Sequence, residues 1–348
     1  MGLARGIFMM DAHTHAQIGQ SVDDSEMQLF HMEKYNIDMC VIQPSITKSN
    51  ELNGEISKRN PKKFIATCND IITQNKSLYE DVPWTVESAV KEIDDLLQTG
   101  LYKGIGEGIP RDRARKKLIT WDERLEQICA FFDMARKYKF PMQWHTGIPI
   151  GGSWYDLARS RAHAEVHDNG NPLLCHEVAA LYPDVPILML HGGVEASGYY
   201  LDDYEKCLNV AASHHNVFLA TGSWWAELYE KPLKDPNIGA KKLVWACAWG
   251  QNNQQQTWMP GCIPETAPVT LMKPTSNTGL VGIGHQVDIW GWSLREIGRL
   301  NIPQDDLNLI LGGNAAWLFG AKLPLPYERL FKSVDRGFEY TCMKTILE

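Results

Sequence analysis

The chain has 348 residues, 44% hydrophobic and 22% charged, with a formal net charge of −8. That is the composition of a globular protein with a sizeable core, in one large domain or two smaller ones. The acidic balance argues against a nucleic-acid or anionic-membrane binder, whose basic patch should show.

The basic cluster at Arg111, Arg113, Arg115, Lys116 and Lys117 reads as a solvated face. Eight cysteines are scattered without a CxxC pair, as expected of reduced, buried thiols. The first ten residues lack a signal-peptide pattern, and no apolar run reaches the ~20 residues of a membrane helix. The expected compartment is the cytoplasm, with a small-molecule substrate and neither nucleic acid nor membrane as partner.

In chain order, short apolar runs at 6–11, 38–43, 64–68, 102–107, 141–145, 187–191, 217–221 and 243–249 read as strands. Helical periods lie between them. Val86, Ala89, Val90, Ile93, Leu96 and Leu97 mark one helix face, and Leu125, Ile128, Phe132 and Ala135 another. The second opens with Thr120 and Glu123, a capping-box pattern. This rhythm predicts an α/β fold, a single (β/α)8 TIM barrel. A doubly wound sheet is the alternative, but it wants a glycine-rich loop after the first strand, where this chain has histidines. The rhythm breaks at 251–284, a polar stretch read either as a surface insert or as a lid over a site. Helical segments at 294–300 and 307–319 close the chain.

The stretch "FMMDAHTHAQ" ends the first strand with His13 and His15, two apart and so on one face. "FPMQWHTG" puts His145 at the end of the fifth strand, and "ILMLHGG" puts His191 at the end of the sixth. Barrel active sites lie at the strands' C-terminal ends, and imidazole is a common zinc ligand. Four histidines therefore fall where a metal site is expected. The other seven histidines read as structural, with His285 of interest because it follows the insert.

The order HxH, His145, "HGG" and then "LGGNAAWLFG" resembles the amidohydrolase superfamily, and within it the amidohydrolase-2 branch that includes aminocarboxymuconate-semialdehyde decarboxylase. The resemblance runs from about Phe8 to Gly320. It implies a (β/α)8 barrel with a divalent metal, usually zinc, that hydrolyses or decarboxylates small aromatic or carboxylated compounds. By position it implies His13, His15 and His145 as metal ligands and His191 as the residue that polarises substrate or shuttles a proton. Asn314 would belong to a structural signature. The resemblance also suggests a homodimer.

One position departs from that pattern. The eighth strand should end in an aspartate, but "LVWACAWG" has Ala248 there. Three possibilities are open: Asp288 in "HQVDIWGW" fills the role, Glu107 in "GIGEGIP" supplies the carboxylate, or the site is altered enough to bind metal weakly or to have lost catalysis; Cys247 as a thiolate ligand is chemically possible, but it reads rather as a buried small residue. Glu107 is preferred, because it ends the fourth strand between small residues. Arg111 would hold a substrate carboxylate, and Trp144 and Trp249, with Trp224 and Trp225, would wall an aromatic pocket. The expected function is metal-dependent hydrolysis by an activated water. The alternatives are decarboxylation on the same ligands, or a non-catalytic binding barrel, for which Ala248 is the motive.

Overall fold

The computed structural model describes residues 6–18, 22–44, 49–108, 120–146, 170–194, 201–222, 224–248, 256–258, 271–272, 285–287, 289–324, 327–328 and 333–343. Eight parallel strands lie in sequential order: β1 (Met10–Thr14), β2 (Met39–Ile42), β3 (Phe64–Cys68), β4 (Tyr102–Gly108), β5 (Met142–His145), β6 (Ile187–Leu190), β7 (Val217–Ala220) and β8 (Leu243–Val244). Beyond β8 the chain still meets β1, where the Ala12 N–H donates to Trp245 O at 3.1 Å. The result is the expected (β/α)8 barrel. Its strands read as nearly continuous apolar runs because both faces of a parallel sheet are buried.

The two faces carry different cores. Met10, Ala12, Val41, Ile65, Leu188, Leu190, Phe218, Ala220, Val244 and Ala246 pack together, with Leu318 and Phe319 among them. A second cluster, including Cys40, Ile42, Phe64, Ala66, Ile105 and Met189, packs the barrel against its helices. Those helices are α1 (Ser25–Tyr35), α2 (Asn50–Arg59), α3 (Ile71–Tyr79), α4 (Val86–Gln98), α5 (Trp121–Tyr138), α6 (Leu174–Leu181), α7 (Asp202–Ser213), α8 (Glu230–Lys234), α9 (Ile289–Ile297), α10 (Gln304–Asn308) and α11 (Asn314–Phe319). Helix α4 buries Ala89, Ile93 and Leu97, one stripe at four-residue spacing. Helix α5 opens with the Thr120–Glu123 capping box read from the sequence.

The eighth strand is shorter than the expected 243–249. The Trp245 N–H leaves the ladder and donates to Ile310 O, in a π-helical turn (Leu309–Gly313) between α10 and α11. Asn314 secures the same junction. Its Nδ2 donates to Ala240 O and Leu243 O, each at 2.8 Å, and its Oδ1 accepts from Arg336. Within and beside the polar stretch, Gln256–Trp258, Leu271–Met272 and His285–Val287 form a three-stranded antiparallel sheet. Among the described residues, no helix is long and apolar enough to cross a membrane.

Candidate metal centre

Strand β1 does not alternate evenly. Its register against β2 shifts between Asp11 and Thr14, so one extra residue enters there. Such a bulge re-aims the side chains that follow it. Asp11 turns to the helical layer, where Oδ2 accepts from Trp290 Nε1 of α9 at 2.5 Å. Thr14 turns the same way, bonded to Val41 O and to Gln28 of α1. His13 and His15 turn together toward the mouth, with Nε2 atoms 3.3 Å apart. Perfect alternation would have kept Asp11 on their side.

Three other strand ends supply the remaining groups. Glu107, near the end of β4, sets Oε1 at 2.5 Å from His145 Nδ1 and 3.5 Å from His191 Nε2. Its Oε2 lies 3.8 Å from His13 Nε2. The carboxylate thus stands among three imidazoles. Ring centroids separate His13 from His15 by 5.1 Å, His13 from His191 by 5.1 Å and His145 from His191 by 5.0 Å. Ligand atoms of His13, Glu107 and His191 all lie within 4.8 Å of one another.

Backbone conformation holds two of these groups in place. Gly106 has φ +139°, and a Cβ there would sit 2.6 Å from the Cβ of Gln143, so only glycine lets β4 carry Glu107 past β5. His191 itself has φ +63°. Next to it, Gly192 has φ +52°, and a Cβ would meet Ala220 O and the Trp224 ring at 2.6 Å. Thr146, directly after His145, accepts from the Gly193 N–H at 2.9 Å and donates to Leu190 O, tying the ends of β5 and β6.

The electrostatics leave lone pairs available. Burial pushes His13 well below the usual imidazole range, and Glu107 only partly opposes this, so the ring is neutral. Burial alone would raise the Glu107 carboxyl. The hydrogen bonds from His145 and His191 outweigh it, so Glu107 stays ionised well below the usual carboxylate range. His15 Nδ1 faces Gln43 O at 3.1 Å, which puts its proton there and turns the Nε2 lone pair toward His13. His145 Nδ1 is likewise matched to Glu107, leaving Nε2 as the donor atom.

These donors fit a divalent ion. The His13 and His15 Nε2 atoms, 3.3 Å apart, are close enough that both would reach one zinc-sized ion. Imidazole nitrogens with one ionised carboxylate are the donor chemistry zinc accepts.

A family model described as amidohydrolase matches residues 80–253, half of the chain. The chain belongs to the amidohydrolase family. It is an enzyme of the hydrolase and carboxy-lyase kind found in the amidohydrolase-2 branch, whose members are metal-dependent. Among solved structures, 2,6-dihydroxybenzoate decarboxylase in complex with 2,6-dihydroxybenzoate is similar at 12% identity, over 91% of this chain and 99% of that one, with a TM-score of 0.56. A protein of Agrobacterium tumefaciens in its apo form is similar at 11% identity, over 93% and 98%, with a TM-score of 0.51. A probable 2-pyrone-4,6-dicarboxylic acid hydrolase of Acinetobacter baumannii with citric acid bound shares 12% identity over 90% and 99%, with a TM-score of 0.49. At these identities the likeness to the first two is one of fold. A comparison with curated protein sequences found no match.

Against the residues expected from the sequence, this amidohydrolase brings His13, His15, His145, His191 and Glu107 together. His191, set apart from the ligands in the sequence reading, shares one cluster with His13 and Glu107. Ala248 is buried with φ +54° and offers no donor atom. Cys247 is turned into the second core cluster, where burial pushes its thiol up, so it offers no thiolate. Trp144 does not face the mouth. It is buried against Phe132 of α5, centroids 6.3 Å apart, because strand alternation sends Gln143 and His145 inward and Trp144 outward. Asp288, Arg111 and Trp249 lie outside the described residues.

The sequence reading missed Asp11. Its carboxylate is fully buried and accepts from His13 N at 2.9 Å, Cys247 N at 3.0 Å and Trp290 Nε1. Burial raises its pKa to about 7 against the pull of those hydrogen bonds. An acid two residues before the first histidine was the visible signal.

Proposed function

We propose that this enzyme is a zinc-dependent hydrolase of a small carboxylated or aromatic compound. His13, His15 and His145 would hold the ion, with Glu107 completing the donor set in place of the strand-eight aspartate. The observation that carries this reading is the convergence of four imidazoles and one ionised carboxylate at the C-terminal mouth of the barrel. A bound ion supplies Lewis acidity there, lowering the pKa of water toward ~7 and polarising a substrate carbonyl.

The chain's own residues divide the rest of the work. Glu107, held ionised, is within reach to accept a proton from an attacking water. His191, whose Nε2 lies 3.5 Å from Glu107 Oε1, would pass that proton to a leaving group. Arg111 and Trp249 are read as substrate contacts, Asp288 as a second acid–base group, and the 251–284 insert as the cover that excludes water.

A second reading is decarboxylation of an aromatic carboxylate on the same donor set, in which the carbanion left by carbon dioxide takes its proton from an acid, the role His191 would fill. The test is a screen of lactones, amides and hydroxybenzoates with metal-loaded protein, following ring opening and carbon dioxide release separately. Turnover lost in Glu107→Gln and in His191→Asn supports the reading. Folded, metal-loaded protein that turns over none of these classes, or variants as active as the wild type, would overturn it.

A further inference from the structure

Glu107 is held by the ladder on its β5 side, where Gly108 pairs with Trp144, but not on its β3 side. Strand β3 ends at Cys68, paired with Ile105, while β4 runs on to Gly108. The residues that carry Glu107 out to the mouth therefore extend past the last β3–β4 rung. Two side chains stand where the ladder would have continued. Thr67 Oγ1 donates to Gly106 O at 3.2 Å, and Asn69 Nδ2 donates to Glu107 O at 2.8 Å.

Asn69 is itself tightly framed. Its Oδ1 accepts from Asp70 N at 3.0 Å. Buried Asn50 of α2 grips its main chain from both sides: Oδ1 accepts from Asn69 N at 3.1 Å, and Nδ2 donates to Asn69 O at 2.7 Å. The Asn50 amide also reaches Glu92 of α4 at 3.3 Å. Glu92 in turn caps the start of α3, accepting from Ile72 N at 2.9 Å, Thr73 N at 2.8 Å and Thr73 Oγ1 at 2.9 Å. The Asn50 carbonyl accepts from Tyr102 OH of β4 at 2.9 Å, closing the frame on the strand it supports.

We infer that Asn69 is a positioning residue, which fixes the main chain of Glu107 so that its carboxylate meets the imidazoles. The inference rests on the metal-site reading above. A purely structural amide would satisfy a carbonyl and nothing more. A positioning amide fixes the main chain from which the donor side chain departs, and loss of outer partners that orient a ligand typically weakens metal binding by roughly 10–100-fold.

The experiment titrates metal-stripped protein with Co2+ alone, following the visible ligand-field band and the dissociation constant. Two variants are used. Asn69→Asp keeps the acceptor to Asp70 N and puts an oxygen against Glu107 O, whereas Asn69→Ala removes both contacts. The control is Asn216→Ala, before β7, where another buried amide donates to Tyr182 O at 2.9 Å and Val185 O at 3.0 Å and to none of His13, His15, His145 and His191. The expected result is a shifted band and roughly tenfold or greater weakening in both Asn69 variants, with the control losing thermal stability but keeping the wild-type spectrum and affinity. Folded Asn69 variants that match the wild type in band and affinity overturn this inference alone. Wild-type protein that binds no Co2+ overturns the metal-site reading, and the inference falls with it.

Discussion

Replacing Asp11 with asparagine perturbs the joint between the histidine-bearing strand, the eighth strand and α9. Asp11 Oδ1 accepts from the main chains of His13 at 2.9 Å and Cys247 at 3.0 Å, and an asparagine oxygen would keep both. The new amide nitrogen then faces Trp290 Nε1, which was 2.5 Å from a carboxylate oxygen. One hydrogen bond to a buried acceptor is lost and two donors are opposed, for a total of about 2–4 kcal/mol at a pH well below the carboxyl's raised value of about 7, where the cost of burying its charge largely drops out. At roughly 2 °C per kcal/mol for a chain longer than 150–250 residues, the melting temperature should fall by roughly 4–8 °C. Trp290→Phe removes the opposed donor, so the double variant should be more stable than the sum of the single losses by about 1–2 kcal/mol. Urea and thermal unfolding of the four proteins measure the cycle. Asp11→Asn that unfolds with the wild type, or a cycle that is strictly additive, would refute the reasoning.

Asn314→Ala removes three buried hydrogen bonds at the β8 junction and should cost about 3–4 kcal/mol, read by urea unfolding; a loss under about 1 kcal/mol would contradict that clamp. Gly106→Ala forces a Cβ to 2.6 Å from Gln143 at φ +139°. It should cost about 2–4 kcal/mol and lower metal content together with stability, because Glu107 is the next residue. Lys242 is buried, with Nζ donating to Ala211 O at 2.6 Å and His214 O at 2.8 Å, and burial lowers its pKa from 10.5 to about 8. Between those values the unfolded chain holds the proton that the folded one has released. Stability should therefore rise with pH from about 8 to 10.5, by at most ~1.4 kcal/mol per unit. Lys242→Met should flatten that slope, as followed by urea unfolding across the window, and an unchanged slope would contradict it.

The barrel was legible because parallel strands buried on both faces leave contiguous apolar runs. Phe64–Cys68 is the plainest case, matching its expected bounds at both ends. The eighth strand was overextended because nothing local in "LVWACAWG" announces that the Trp245 N–H is taken by Ile310, some sixty-five residues on. At the site, two-residue spacing brought His13 and His15 together, but the same rule would have added Asp11 and did not foresee the bulge. Alternation, applied to "QWH", would have turned Trp144 away from the mouth; counting aromatic residues at strand ends did not. Glu107 could be ranked from its small neighbours, whereas Asn69 could not be found from sequence. Its partner, the Glu107 carbonyl, is 38 residues away and belongs to the main chain.

In the proposed enzyme these imidazoles and Glu107 hold a divalent ion. Metal content by mass spectrometry, on protein purified without chelators beside the His13→Ala/His15→Ala variant, tests it most directly. Stoichiometric zinc in the wild type, lost from the folded variant, is the predicted result. Wild-type protein free of divalent metal after growth with excess zinc, manganese and cobalt, or a double variant that keeps its full complement, would contradict the account.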